Sequence, residues 1–69
     1  MKRYNVKIIG QGFSTTYDTL IEAKAEVKRI ADKVPQMKSN IYIDEYDGTA
    51  TGAWYRFDPN SHRFIRNTL

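Results

Sequence analysis

The sequence predicts an α+β fold: a single, mostly antiparallel sheet with one helix packed on one face, in the order strand-strand-helix-strand-strand-strand. Three observations carry this reading. Apolar and polar side chains alternate with the two-residue period of a half-buried strand near both ends of the chain, at Tyr4–Ile8 and between Ile41 and Ile65. A stripe of apolar residues at helical spacing runs from Leu20 to Val34 between them. Turn-forming clusters separate the alternating runs at Gly10-Gln11-Gly12, Asp47-Gly48 and Asp58-Pro59-Asn60-Ser61.

In the first strand Tyr4, Val6 and Ile8 alternate with Asn5, Lys7 and Ile9. With Gln11-Gly12 as a two-residue hairpin loop, residue 8 would face 15 and residue 6 would face 17. Phe13, Thr15 and Tyr17 then share a face with Val6 and Ile8. Thr19-Leu20-Ile21-Glu22 has the capping-box pattern, in which hydroxyl and carboxylate each take up an amide left free at a helix start, so the helix begins there. Leu20, Ala23, Val27, Ile30, Ala31 and Val34 form its inner stripe, and Glu22, Glu26, Lys28, Arg29, Asp32 and Lys33 cover the other faces. Pro35 lacks an amide hydrogen and ends the helix near Lys33. Gln36–Ser39 is a polar connection to a third strand, where Ile41 and Ile43 alternate with Tyr42 and Asp44.

Asp47-Gly48 marks the next turn. A strict two-residue loop at those positions would put Trp54 on the face of Ile41 and Ile43. Tyr55 and Phe57, however, alternate with Arg56 and Asp58 as the apolar set of the fourth strand. An odd-length loop or a bulge around Thr49–Gly52 is therefore expected. The last turn has a side-chain acceptor at Asp58 and a fixed φ at Pro59, as a type I turn requires. It should pair Asp58 with Arg63, Phe57 with Phe64 and Tyr55 with Arg66.

This register defines a core of Val6, Ile8, Phe13, Leu20, Ala23, Val27, Ile30, Val34, Ile41, Ile43, Tyr55, Phe57 and Phe64. One helix covers one face only. The other face should present Lys7, Ile9, Tyr42, Asp44, Tyr46, Trp54, Arg56, Asp58, Arg63 and Ile65. Gly52, Trp54, Asp58 and Phe64, set in a Gly-x-Trp hairpin that follows a capped helix, carry a resemblance to the β-grasp arrangement of immunoglobulin-binding domains. The strand at Ile41–Tyr46 has no counterpart there, and the resemblance is one of fold that implies no function.

The 69 residues form one small α+β domain, residues 1–69, whose core nets only ~3–5 kcal/mol after chain entropy. There is no cysteine, hence no disulfide to reinforce that core and no thiolate for nucleophilic or metal chemistry. With 41% hydrophobic and 28% charged residues the chain has the composition of a globular domain, and no apolar run reaches membrane-spanning length. The basic start, Met1-Lys2-Arg3, leads into a stretch interrupted by Lys7 and Gly10, so no secretory signal is expected and the chain is assigned to the cytoplasm. A net charge of +3, from eleven basic and eight acidic side chains, is a bias without a polybasic patch.

Few residues suggest chemistry. Gly10-Gln11-Gly12 lacks the third glycine and the immediate helix of a dinucleotide fingerprint, since Thr15 stands where that glycine belongs; it reads as a hairpin turn. His62 is the one histidine, lies at a turn, and reads as a solvated loop residue. Asp44, Glu45 and Asp47 bunch at a strand end without the spacing of a calcium loop and read as solvated carboxylates. No nucleophile–base pair, carboxylate pair or metal constellation stands out, so no enzyme activity and no cofactor are expected. The charged helix surface reads as a solvated face with i, i+3 and i, i+4 pairs.

The candidate binding residues are Trp54, Tyr42, Tyr46, Arg56 and Arg63. Aromatic planes and guanidinium forks on one face serve cross-strand stability, and they are also the residue types enriched at protein–protein hot spots. The favoured function is a non-enzymatic protein-binding module of the regulator or inhibitor type. The alternative is nucleic-acid binding by the same face, with Tyr42 and Trp54 stacking on bases and Lys7, Arg56, Arg63 and Arg66 at phosphates. Asp44 and Asp58 interrupt the positive field that this needs. A third reading is a homodimer that buries the face or an edge strand for stability alone.

Overall fold

The computed structural model describes residues 1–68, with the side chain of Phe13 outside that description. The chain runs through β1 (Lys2–Ile8), β2 (Phe13–Tyr17), α1 (Leu20–Lys33), a 3-10 turn (Pro35–Met37), β3 (Ile41–Asp47), β4 (Ala50–Asp58) and β5 (Arg63–Thr68). The strands form one sheet in the order β2-β1-β3-β4-β5, antiparallel at every junction. Because β2 and β3 each run antiparallel to β1, they run parallel to one another, and α1 carries the chain between them across β1. The strand without a β-grasp counterpart, β3, thus takes the centre of the sheet, and β1 and β5 are kept apart by β3 and β4.

The first hairpin departs from the expected register. Ile8 pairs with Phe13, Val6 with Thr15 and Tyr4 with Tyr17, so the loop is Ile9–Gly12 rather than Gln11-Gly12 alone. Gly10 and Gly12 sit at φ +87° and +70°, a region glycine enters without a Cβ penalty, and the loop needs both of them. The register differs from the expected one by two residues, an even shift, and so the described side chains keep their faces. Phe13, expected in the core, pairs with Ile8 through its backbone; its side chain lies outside the described residues.

Helix α1 begins where the capping pattern places it. The Glu22 amide donates to Thr19 Oγ1 at 3.2 Å, and the Thr19 hydroxyl donates to Glu22 Oε1 at 2.8 Å. Glu22 therefore closes the box through the hydroxyl of Thr19, while the amide half of the motif is made by Thr19 alone. Ala23, Val27 and Ile30 are buried against the sheet, and Leu20 and Ala31 pack at the edge of the same stripe. At the far end the Val34 amide donates to the Ile30 carbonyl at 2.8 Å, after which Pro35 opens the 3-10 turn.

The bulge anticipated between β3 and β4 lies at Gly52. Asp47 pairs with Ala50 and Tyr46 with Thr51 around a Gly48-Thr49 loop, and then Glu45 pairs with Ala53, leaving Gly52 as the extra residue. Gly48, at φ +69°, supplies the positive φ at the first loop position. From Ala53 onward Tyr55 faces Ile43 and Trp54 faces Asp44, which sends Tyr55 to the helix side and Trp54 to the other. The β4–β5 hairpin has the expected pairs Asp58–Arg63, Phe57–Phe64 and Tyr55–Arg66. Its loop closes through the His62 amide, which donates to the Asp58 carbonyl at 2.8 Å, with His62 itself at φ +59°.

The buried cluster is Val6, Ile8, Ala23, Val27, Ile30, Ile41, Ile43, Tyr55 and Phe57, with Tyr4, Tyr17, Met37 and Phe64 packed around it. Ala53, absent from the expected core, is fully buried on the same face. No helix in the described residues is long and apolar enough to cross a membrane.

Candidate binding face

Strand pairing lays the uncovered face out in rows. One row runs Ser14, Lys7, Tyr42, Arg56, Ile65 across β2, β1, β3, β4 and β5; the next runs Thr16, Asn5, Asp44, Trp54, Asn67. Tyr42 and Trp54 are diagonal neighbours across β3 and β4. Their ring centroids lie 5.8 Å apart with the planes tilted by 55°, an aromatic contact of the edge-directed type. Tyr46 lies two residues beyond Asp44 on the same face of β3. With Lys7, Ile9, Thr51 and Asp44, these three aromatic residues line an open groove of about 540 Å³. Ile9 and Ile65 add exposed apolar surface at its sides.

The carboxylates of the acidic run do not act together. Asp44, on the open face, is 8% exposed and accepts from Lys7 Nζ at 2.7 Å. Glu45 points to the helix side, is 7% exposed, and accepts from the Tyr55 hydroxyl at 3.3 Å, with Lys2 Nζ and Arg66 Nη2 each 3.7 Å away. Asp47 lies at the strand end beside the N-terminal ammonium. The expectation of solvated carboxylates therefore fails for Asp44 and Glu45: Asp44 lies next to Lys7 of β1, and Glu45 next to Lys2 of β1 and Arg66 of β5, which makes burial of a charge tolerable. Among the described residues no group of three or more His, Cys, Asp and Glu side chains is placed to hold a metal ion.

Arg56 and Arg63 both lie on the open face, Arg56 between Tyr42 and Ile65 and Arg63 opposite Asp58. Although the two are register partners, Asp58 forms no ion pair with Arg63. Its Oδ2 accepts from the Ser61 hydroxyl at 2.8 Å and its Oδ1 from the Asn60 amide at 3.1 Å, and these bonds, with Arg56 nearby, hold its carboxyl below the ordinary value. Arg66, a phosphate ligand in the nucleic-acid alternative, belongs to the opposite face: its Nε donates to the Tyr55 hydroxyl at 3.2 Å. Five residues named from sequence, Trp54, Tyr42, Tyr46, Arg56 and Arg63, thus share one face. Lys7 and Asp44 are built into its floor as an ion pair, a detail that becomes visible only once β1 and β3 are seen to be neighbours.

A smaller hollow of about 330 Å³ lies elsewhere, between the last turns of α1 and the β4–β5 loop, with Phe57, Pro35 and Pro59 among its apolar walls and Lys28, Lys38 and His62 at its rim. His62 is exposed, and its ring meets Phe57 edge-on at 6.1 Å.

Comparisons of the chain with family models, with curated proteins and with solved structures return no match.

Proposed function

We propose that the protein is a small, non-enzymatic protein-binding module that engages its partner through the open face of the sheet, with Trp54, Tyr42, Tyr46, Arg56 and Arg63 as its contact residues. The observation that carries this reading is the Tyr42–Trp54 pair lining a groove on the face that α1 leaves uncovered. Aromatic and arginine side chains at the centre of an interface contribute most of its binding energy: Tyr and Trp bury large areas at a low cost in side-chain entropy, and the guanidinium forks carboxylates directionally. The reading places the module in the cytoplasm, where a chain without cysteine needs no oxidising environment.

Nucleic acid is the weaker reading for this face. Of the four cations it would use, Lys7 is held by Asp44 at 2.7 Å and Arg66 lies on the other side of the sheet. Self-association is the third reading, tested by sedimentation at two concentrations.

Capture from a native lysate, with and without nuclease, tests the proposal. The wild-type chain should retain protein partners after nuclease treatment. The double variant Trp54→Ala, Arg56→Ala should lose them while its helical circular dichroism is unchanged. Equal capture by both chains contradicts the proposal.

A further inference from the structure

The chemistry of the partner follows from the charges of the open face, and the inference rests on the reading of that face as a protein-binding surface. Its two carboxylates are committed internally, Asp44 to Lys7 and Asp58 to the Asn60 amide and the Ser61 hydroxyl. The guanidiniums of Arg56 on β4 and Arg63 at the start of β5 are not: among the described residues neither has a carboxylate oxygen within 4.0 Å. Arg56 pairs with Ile65, so Arg63, two residues earlier on β5, is its diagonal neighbour. Diagonal neighbours of this kind stand roughly 7–8 Å apart. Alternate side chains of an extended peptide, at about 3.3 Å rise per residue, repeat at nearly the same interval. Continuing along β4 in the same direction, the next open-face side chain after Arg56 is Trp54, beside Tyr42.

We propose that the open face takes an extended acidic segment whose alternate side chains are carboxylate, carboxylate and apolar or aromatic. The first carboxylate meets Arg63, the second meets Arg56, and the third side chain enters the groove against Trp54, Tyr42 and Tyr46. A planar guanidinium forks both oxygens of a carboxylate, which gives each contact direction as well as charge. A nucleic acid fits these features less well. The Tyr42 and Trp54 rings are tilted into one another at 55° rather than offered as parallel stacking planes, and Lys7, opposite Tyr42, is held by Asp44 at 2.7 Å. A second copy of the chain offers Arg56 and Arg63 only carboxylates that are already engaged on this face, Asp44 by Lys7 and Asp58 by Asn60 and Ser61.

Trp54 is the single tryptophan, so its emission reports on this groove alone. Two capped pentapeptides serve as probes, one of sequence Glu-Ser-Glu-Ser-Phe and one of sequence Gln-Ser-Gln-Ser-Phe, with a thymidine oligonucleotide as the third ligand. At low salt the Glu peptide should change Trp54 emission with an affinity at least about tenfold above that of the Gln peptide. That preference should shrink as salt rises. Arg56→Gln and Arg63→Gln should each reduce it, with circular dichroism unchanged. Equal response to the Glu and Gln peptides overturns the acidic inference and leaves the protein-binding reading standing. No response to either peptide overturns the inference as well. Tighter binding of the oligonucleotide than of the Glu peptide overturns both the inference and the protein-binding reading.

Discussion

The face of the sheet beneath α1 and the face turned away from it are made from the same five strands, yet different forces hold their side chains. Under the helix, Val6, Ile41 and Ile43 are fully buried and meet Ala23, Val27 and Ile30 from above, so removal of apolar surface from water sets that arrangement. On the open face the contacts are pairwise and directional: Tyr42 against Trp54, Lys7 against Asp44, Asp58 against its own turn. One face defines the fold and tolerates few substitutions. The other is held by cross-strand contacts worth a few tenths to ~1 kcal/mol each, so the fold constrains the identity of its residues less.

The widest separation between the two faces is expected from neighbouring positions on β3. Ile43→Ala should remove about 2–5 kcal/mol, comparable to the whole ~3–5 kcal/mol margin of a domain this small, and leave a chain without a cooperative unfolding transition. Tyr42→Ala, one residue away on the open face, should keep that transition. Urea unfolding followed by circular dichroism distinguishes them, and a lost transition for Tyr42→Ala would break the division.

A smaller effect tests the polar group at the edge of the core cluster. The Tyr55 hydroxyl joins two residues there, donating to Glu45 Oε1 and accepting from Arg66 Nε. Tyr55→Phe keeps the ring in the core and leaves the buried carboxylate without its hydroxyl donor, at an expected cost of about 1–2 kcal/mol in the free energy of urea unfolding. No change would mean that Lys2 and Arg66 satisfy Glu45 by themselves.

How far the sequence reveals this architecture differs by face for the same reasons. The helix stripe, the capping threonine and the apolar set Tyr55, Phe57 and Phe64 are local patterns, and they fix which side of each strand is covered. Parity alone required an irregularity before Trp54, and Gly52 supplies it. The first hairpin was less accessible, since a two-residue loop at Gln11-Gly12 preserves the same faces as the four-residue loop Ile9–Gly12, and only the positive φ of Gly10 separates them. Burial of Asp44 and Glu45 could not be read locally. Their partners Lys7, Tyr55 and Arg66 lie on other strands, and which strands adjoin depends on the order β2-β1-β3-β4-β5. The side assignment of Arg66 follows the same register: paired with Tyr55, it belongs beneath the sheet and not among the cations of the open face.

The smallest expected effect is a dependence on acid. Ser61 and Asn60 hold the Asp58 carboxyl below its ordinary 3.8, and Arg29, followed by Tyr17, holds Glu26 below its ordinary 4.5. Carboxyls with a depressed folded pKa contribute stability above their unfolded values and lose it as pH falls through the folded ones. The urea midpoint should therefore fall as pH drops below about 4. Ser61→Ala should be less stable than wild type at neutral pH and should approach it in acid, where protonation of Asp58 weakens the Ser61 bond that only wild type makes. A difference that stays constant with pH would remove Asp58 from this account.

The most direct measurement sets Trp54→Ala beside Tyr55→Ala, adjacent residues on opposite faces of β4, in one urea unfolding series. Tyr55→Ala should lose about 3–5 kcal/mol, as removal of a large core side chain does, and with it the cooperative transition, whereas Trp54→Ala should keep the transition and lose about 0.5–1.5 kcal/mol, the worth of an aromatic pair on an open sheet. Equal losses, or a larger loss for Trp54→Ala, would place Trp54 in the core and contradict the assignment of the aromatic face to binding.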